Sequence, residues 1–389
     1  MKINERIRQI AINDHETERF EGLWDLPYGV GYNSYLVVDE KVALIDTAGS
    51  AYTDMFFSWI TEEIGDRNVD YVVINHMEPD HSSLIAELRR RYPEVVIVTN
   101  AKAVPMIEGY HGITDNIQVV KENDTLSLGG CSLKFIMTPM VHWPETMMTW
   151  LEEEKTLFSM DAFGSFMATD GDTLDNYDKF EMEMIRYYAC IVGKYGLTVQ
   201  NALKKAATLP IERICSTHGS VWEKRIPEVI ALYQKLSTYS SEKGVCIAYG
   251  SMYGNTAKAA QSLAEELGKR GIPYEIHDLS KENVSYAYRD AFRFSHIVVG
   301  CPTYNNDIYP PVLTFMHGLV SRQLKNRKFF AVGSYTWAGG SVKMLNAIAT
   351  DQKWELIGDG IGFKQGYTPE KCDMKAVAAL IEEDMKNAE

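Results

Sequence analysis

NHMEPDHSSL, residues 75–84, decides how the first half of this chain is read. Within six positions it places His76, Glu78, Asp80 and His81 at the end of the apolar run VDYVVINH. As local structure alone it is a helix start, with Asp80 or Ser82 as cap and Glu78 facing the positive end of the helix dipole. Three further polar islands favour another reading. His142 in TPMVHWPET, Asp161 in LFSMDAFG and His218 in ICSTHGS each follow a strand or an apolar run. Strand ends gather on one edge of sandwich and α/β folds, so residues distant in sequence can meet there. Of nine histidines, His76, His81, His142 and His218 fall at these islands. His15, His111, His277, His296 and His317 read as surface or satisfied core. Imidazole is the commonest metal ligand, so the island set reads as a metal site.

The stretches around these islands repeat one pattern. VGYNSYLVVDEKVALIDTA (30–48) is two short strands about the turn Asp39–Glu40–Lys41, and VVIVTN, NIQVVKENDTLSLGGCSLKFIMTP and TMMTWLEEEKTLFSMDAF continue with short strands and polar or Gly turns. Helices are fewer, around Leu84–Arg91 and Pro227–Leu236, the second with proline in its first turn. This predicts stacked sheets with helices outside, an αβ/βα sandwich over residues 1–242. From Lys243 strands and helices alternate: GVCIAYG, the amphipathic NTAKAAQSLAEELGKRG, then PYEIHDLS, HIVVGCPTY and KFFAVGSYTW. That alternation predicts a doubly wound parallel sheet over 243–389, after the polar linker STYSSEKG.

A second constellation sits in this later half. YGSMYGNTAKA (249–259) follows a buried strand and opens a helix, so its hydroxyls and backbone N–H groups can wrap a phosphate. No Lys follows Gly254 as a Walker A loop requires, and no G-x-G-x-x-G with a later acid is present, so a mononucleotide is favoured. Two later strand-end loops, GCPTYNNDIYP (300–310) and GSYTWAGG (333–340), add aromatics to stack on a flat ring and glycines to admit its edge.

Composition narrows the rest. A net charge of −14 argues against a nucleic-acid or anionic-membrane binder. No run of about 18 apolar residues is present, and MKINERIRQIAIND lacks the core of a signal peptide. The six cysteines (131, 190, 215, 246, 301, 372) form no C-x-x-C pair, which excludes a cysteine zinc knuckle or a built-in rubredoxin-type iron centre. A reducing, cytoplasmic setting is expected.

The order H-x-E-x-D-H … H … D … H resembles the metallo-β-lactamase superfamily, with Glu78 where its usual second histidine stands. A carboxylate there adds hard oxygen and negative charge, favouring redox iron over hydrolytic zinc. The S-x-x-G-N-T loop resembles the FMN-phosphate loop of short-chain flavodoxins. Together, over essentially the whole chain, the motifs resemble the flavodiiron proteins (A-type flavoproteins). The resemblance implies iron ligation by His76, Glu78 and His142 at one position and by Asp80, His81 and His218 at the other, with Asp161 bridging. In some members the histidine matching His81 gives way to water. It implies FMN held by Ser251, Met252, Tyr253, Gly254, Asn255 and Thr256, by Pro302, Thr303, Tyr304, Asn305 and Asn306, and by Ser334, Tyr335, Thr336, Trp337, Ala338, Gly339 and Gly340. It further implies reduction of O2 to water or NO to nitrous oxide, and electrons from a separate donor such as rubredoxin or, in some lineages, a deazaflavin. A head-to-tail homodimer, alone or paired into a tetramer, would set each flavin beside the partner's irons, making Trp143 and Trp337 candidates for that contact region. Rubredoxin-like or flavin-reductase modules are not expected after residue 389. Ser83 replaces a frequent family glycine, and the segment EGLWDLPYGVGYNSYL offers no pocket histidine. The competing readings are a zinc hydrolase with an accessory flavodoxin-like domain, and an FMN electron carrier whose first half is a scaffold.

Overall fold

Residues 1–387 are described in the computed structural model. The first compact unit comprises Met1–Tyr187 and Leu197–Gln234. Two six-stranded sheets form it. One runs in the order Ile7–Asp14, Val30–Val38, Val42–Ile45, Tyr71–Val73, Val96–Asn100, Ile117–Val120. The other runs Val221–Trp222, Arg213–Ser216, Thr156–Met160, Met147–Leu151, Ser132–Met137, Thr125–Ser127. The inward faces supply one core: Tyr35, Val37, Ile45, Val73 and Val98 from the first sheet, Leu133, Phe135, Met147, Leu151 and Phe158 from the second. Against the outer face of the first sheet, the helices Thr53–Ile64, Ile85–Arg91 and Val104–His111 bury Phe56, Phe57, Ile60, Leu88 and Ile107. This is the expected αβ/βα sandwich. Its parallel pair Thr156–Met160 and Arg213–Ser216 needs a crossover, and the helices Tyr177–Tyr187 and Gly196–Ala206 lie within it.

The second unit begins at Lys235 and also takes in Tyr188–Gly196. The sequence drew its boundary at 242/243; packing divides the chain eight residues earlier and captures an excursion from the first half. Named contacts hold that excursion. Arg322 donates to the carbonyls of Ala189 and Cys190 at 2.7 and 3.3 Å, and Tyr188 meets Phe292 edge-on at 6.2 Å. No sequence period announces such contacts, because they join residues more than 100 apart.

The sheet of this unit orders Tyr274–Asp278, Glu242–Tyr249, Phe294–Tyr304, Lys328–Tyr335, then Glu355–Leu356 and Ile361–Lys364 along the last, with every one of these pairings parallel. That is the flavodoxin-like strand order, whose ligand site lies beyond the carboxyl ends of the strands. No helix among the described residues is long and apolar enough to cross a membrane.

One buried polar network gives this unit a pH signature. His277 Nε2 lies 3.0 Å from Asp290, and Arg289 reaches the same carboxylate at 2.6 Å. Burial alone would lower the His277 pKa, but hydrogen bonds to Asp290 and Glu282 outweigh it and raise the value to about 9. A histidine raised in the folded state stabilises fully below its unfolded value near 6.5, and that stabilisation is lost as pH rises through about 9. Denaturant unfolding of wild type and His277→Gln should therefore differ by on the order of 2 kcal/mol at pH 6, with the gap closing above pH 9.5. A gap independent of pH would show that His277 stabilises by packing alone.

Candidate functional site

Each sequence island occupies a loop after a strand of the first unit, and buried hydrogen bonds fix each loop. Asn75 donates from backbone N and Nδ2 to the two oxygens of Asp46 at 2.8 and 3.0 Å and accepts from Thr149 Oγ1 at 2.7 Å. Thr47 donates through both N and Oγ1 to the carbonyl of His81. Thr217 Oγ1 donates to Asp161 Oδ1 at 2.8 Å. A short helix, Pro79–Ser82, does begin here, yet Asp80 does not cap it. Both Asp80 oxygens are buried without a hydrogen-bond partner, and Ser82 donates to Met77 O instead.

The islands converge into two ligand groups, His76, Glu78, His142 with Asp161, and Asp80, His81 with His218. Within each group the donor atoms lie within 4.8 Å of one another. Asp161 faces both. Its Oδ2 is 3.5 Å from His76 Nε2 and 3.1 Å from His142 Nε2, while Oδ1 is 2.9 Å from His81 Nε2 and 3.4 Å from His218 Nε2. The far nitrogens are tied down: His76 Nδ1 donates to Glu145 at 2.8 Å and His218 Nδ1 to the carbonyl of Gly31 at 2.8 Å. Such outer bonds fix the tautomer and aim Nε2 inward.

Three carboxylates and four imidazoles this close perturb one another. Burial opposes charge on His142 and His218, but the facing carboxylates, Asp161 first and then Glu78 for one and Asp80 for the other, raise them to about 9 and about 10. Burial opposes ionisation of Glu78 and Asp161 too, and the histidines still hold both well below the ordinary carboxylate range. Among the described residues, Asp161 Oδ2, His81 Nδ1 and His218 Nε2, like both oxygens of Asp80, are buried with no hydrogen-bond partner. Each such atom costs about 1–3 kcal/mol, more for a charged group. Two cations sharing Asp161 would satisfy the inward-facing donors together, so this donor set fits a dimetal centre. Mixed imidazole and carboxylate ligation suits iron.

The site opens on one side. Side chains of Glu78 and Asp80 are 13% and 18% exposed, whereas His76, His81, Asp161 and His218 are at most 1% exposed. Sequence reasoning searched the N-terminal segment for a pocket histidine; the structure supplies Glu21. It lies in the turn between Arg19–Phe20 and Trp24–Asp25 with φ +53°, and accepts from Trp24 Nε1 at 2.9 Å. Burial of its carboxyl, then the negative charge of Glu78, raise the Glu21 pKa. Phe20 in the same hairpin meets His218 edge-on at 5.3 Å, and Trp143 meets His76 at 5.2 Å.

In the second unit, the three predicted loops line one cavity of about 470 Å³. Ser251 to Tyr253, Asn255, Thr256, Pro302 to Asn306 and Ser334 to Ala338 contribute, and Gln365, which sequence reasoning missed, joins them. Gly339 and Gly340 line an adjoining concavity instead, and Gly254 acts through its backbone, capping the helix Asn255–Lys269 at φ +85°. Ser251 Oγ accepts from the N–H groups of Gly254 and Ala257 at 3.1 and 3.3 Å, and Thr256 Oγ1 lies 2.9 Å from Ser334 Oγ. Tyr253 and Trp337 stand 90% and 83% exposed at the cavity rim. Hydroxyls at a helix N-terminus under two bare aromatic faces fit the phosphate and ring of FMN.

Glu145, like Glu21 and Gln365, lies in no motif. Besides orienting His76 it accepts from Met77 N at 2.9 Å, and its own carbonyl accepts from Asn100. Glu145→Gln should lower iron affinity about 10- to 100-fold in chelator competition while flavin content stays unchanged. Unaltered iron affinity would make Glu145 a packing residue.

A family profile described as ODP family beta lactamase matches residues 30–219, and the flavodoxin profile matches 247–386. The anaerobic nitric oxide reductase flavorubredoxin of Escherichia coli K12 is 30% identical over 383 residues, covering 96% of this chain and 79% of that protein. The rubredoxin oxygen:oxidoreductase of Desulfovibrio gigas superposes with TM-score 0.94 at 28% identity, covering 100% of this chain and 98% of its own. The flavodiiron protein of Giardia intestinalis gives TM-score 0.92 at 25% identity, over 99% and 97%. With two ligand groups sharing Asp161 in one unit and a mononucleotide cavity in the other, this chain belongs to the flavodiiron protein family of oxidoreductases.

Proposed function

We propose that this protein reduces dioxygen to water, nitric oxide to nitrous oxide, or both, at a diiron centre in residues 1–242, with FMN in residues 243–389 relaying electrons from a separate donor such as rubredoxin. The observation that carries the reading is the bidirectional carboxylate of Asp161 between two histidine-rich groups. The reactions are O2 + 4 H⁺ + 4 e⁻ → 2 H2O and 2 NO + 2 H⁺ + 2 e⁻ → N2O + H2O. When bound, two irons and FMN supply the electron storage and gas chemistry that no side chain provides.

The residues contribute position and environment. His76, Glu78 and His142 would hold one iron, and Asp80, His81 and His218 the other. Glu145 and the Gly31 carbonyl keep the His76 and His218 tautomers fixed. Phe20, Tyr32 and Tyr187 crowd His218 with ring centroids 5.3 to 5.5 Å away, which limits water and leaves the side of Glu78 and Asp80 for a small gas. In the second unit, Ser251 and Thr256 would hold the FMN phosphate, and Tyr253 and Trp337 would cover the ring. The centre's charge argues against the zinc-hydrolase alternative, since Glu78 adds a third carboxylate where hydrolases keep imidazole. Free cysteines at all six positions fit a cytoplasmic protein.

Protein purified without oxygen, from cells supplied with both metals, should contain about two irons and one FMN per chain. Glu78→Ala and His142→Ala should lose gas reduction by at least about a hundredfold and keep the flavin. Zinc in place of iron would return the assignment to a hydrolase, and undiminished turnover in both variants would leave an FMN carrier. Head-to-tail pairing has its own test. Glu78→Ala and the flavin-excluding Thr256→Arg should each be inactive alone, while co-expressed mixed dimers regain turnover. Mixed dimers that stay inactive would place electron flow within one chain.

A further inference from the structure

The net charge of this protein is unevenly distributed. Residues 1–242 hold 22 Lys and Arg against 37 Asp and Glu, and residues 243–389 hold 17 against 16. Against that acidic first half, one surface is basic. Three concavities of about 300, 410 and 250 Å³ share walls there: Lys205 borders the first two, Met137 and Pro139 the second and third, and Glu122 the first and third. Five lysines line the joined groove, Lys102, Lys121, Lys134, Lys204 and Lys205.

Only Lys205 is spent on the fold itself, bound to Glu122 at 2.6 Å and to the carbonyl of Met137 at 2.7 Å. The other four make no ion pair among the described residues, and Lys102, Lys121 and Lys204 are exposed. Four unpaired cations around one concavity repel one another, an arrangement that favours an anionic occupant. They are spread over one strand, a helix and two loops rather than converging on a point, which suits an extended acidic surface better than a single phosphate.

The far end of the groove is Pro144, Glu145 and Thr146. Glu145 is the carboxylate that binds His76, so the groove runs up to the support of the candidate metal centre. We infer that this lysine groove is the docking surface for a small acidic redox protein that delivers electrons to the enzyme. The inference rests on the reading that the donor is a separate protein. Complementary charge would raise the encounter rate and orient the carrier, and added salt would weaken both effects.

The test uses full-length protein loaded with iron and FMN, and a small acidic rubredoxin as probe. Anaerobic stopped-flow would follow flavin reduction by the reduced rubredoxin from 20 to 500 mM NaCl. Lys102→Glu/Lys121→Glu/Lys204→Glu should slow it at least about tenfold at low salt and flatten its salt dependence. A matched reversal at exposed lysines outside both sites, Lys325→Glu/Lys353→Glu/Lys375→Glu, should stay within about twofold of wild type under the same steering argument. NO turnover driven by dithionite should be the same in all three proteins, which separates docking from damage to the fold or centre. Equal slowing in both triple variants would reduce the effect to net charge and overturn the groove. An unchanged rate in the groove variant would overturn it as well. If wild type turns over NO with dithionite but accepts no electrons from the rubredoxin, docking fails and gas reduction stands. Failure of the fully reduced protein to reduce either NO or O2 would fell the function on which the inference rests.

Discussion

The structure of the first unit is organised around the electrostatic cost of burying carboxylates. Asp161 lies in the interior with a different pair of imidazoles against each oxygen. An isolated ion at such depth carries a desolvation penalty of several kcal/mol. Here the penalty is met by partners that arrive from three other strand ends, and the loops they ride on are held by a further layer of hydrogen bonds. The sandwich provides the rigid edge on which those loops converge. Its inner faces carry a core of aliphatic and aromatic side chains that holds the sheets together beneath those loops. Metal and proton compete for the same imidazole nitrogens, which couples iron retention to pH in the direction of loss in acid.

Much of this was legible in sequence because it is local. Apolar runs punctuated by polar islands gave the strand ends, and the His, Glu and Asp types at those ends gave the seven inward-facing groups. The strand–helix alternation after Lys243 gave the parallel sheet, and S-x-x-G-N-T gave the helix N-terminus beneath the cavity. What stayed hidden was tertiary. Glu145 reads as an unremarkable acid in HWPET, yet it reaches His76 across 69 residues. Asp46 and Asn75 are ordinary turn formers until the fold buries them against each other. Glu21 comes within electrostatic reach of Glu78 in a hairpin with two left-handed residues, Glu21 and Gly22. Gln365 follows the last strand and belongs to no motif.

The two units handle charge in opposite ways. The first concentrates ionised groups in its interior and lines one groove with four lysines that make no ion pair among the described residues. The second builds its ligand cavity from hydroxyls, amides, backbone and aromatic faces, with no Asp, Glu, Lys or Arg in the lining. A phosphate held by a helix N-terminus and neutral donors depends on direct hydrogen bonds at close range, which mobile ions screen less than they screen exposed ion pairs.

That neutral cradle makes ionic strength a selective instrument. Molar sodium chloride should leave the cofactor seated, since there is no ion pair for it to screen. Inorganic phosphate, which presents the same oxygens to the same N–H groups, should instead act as a competitor. Flavin lost during purification would then be traced to phosphate buffers rather than to high-salt washes.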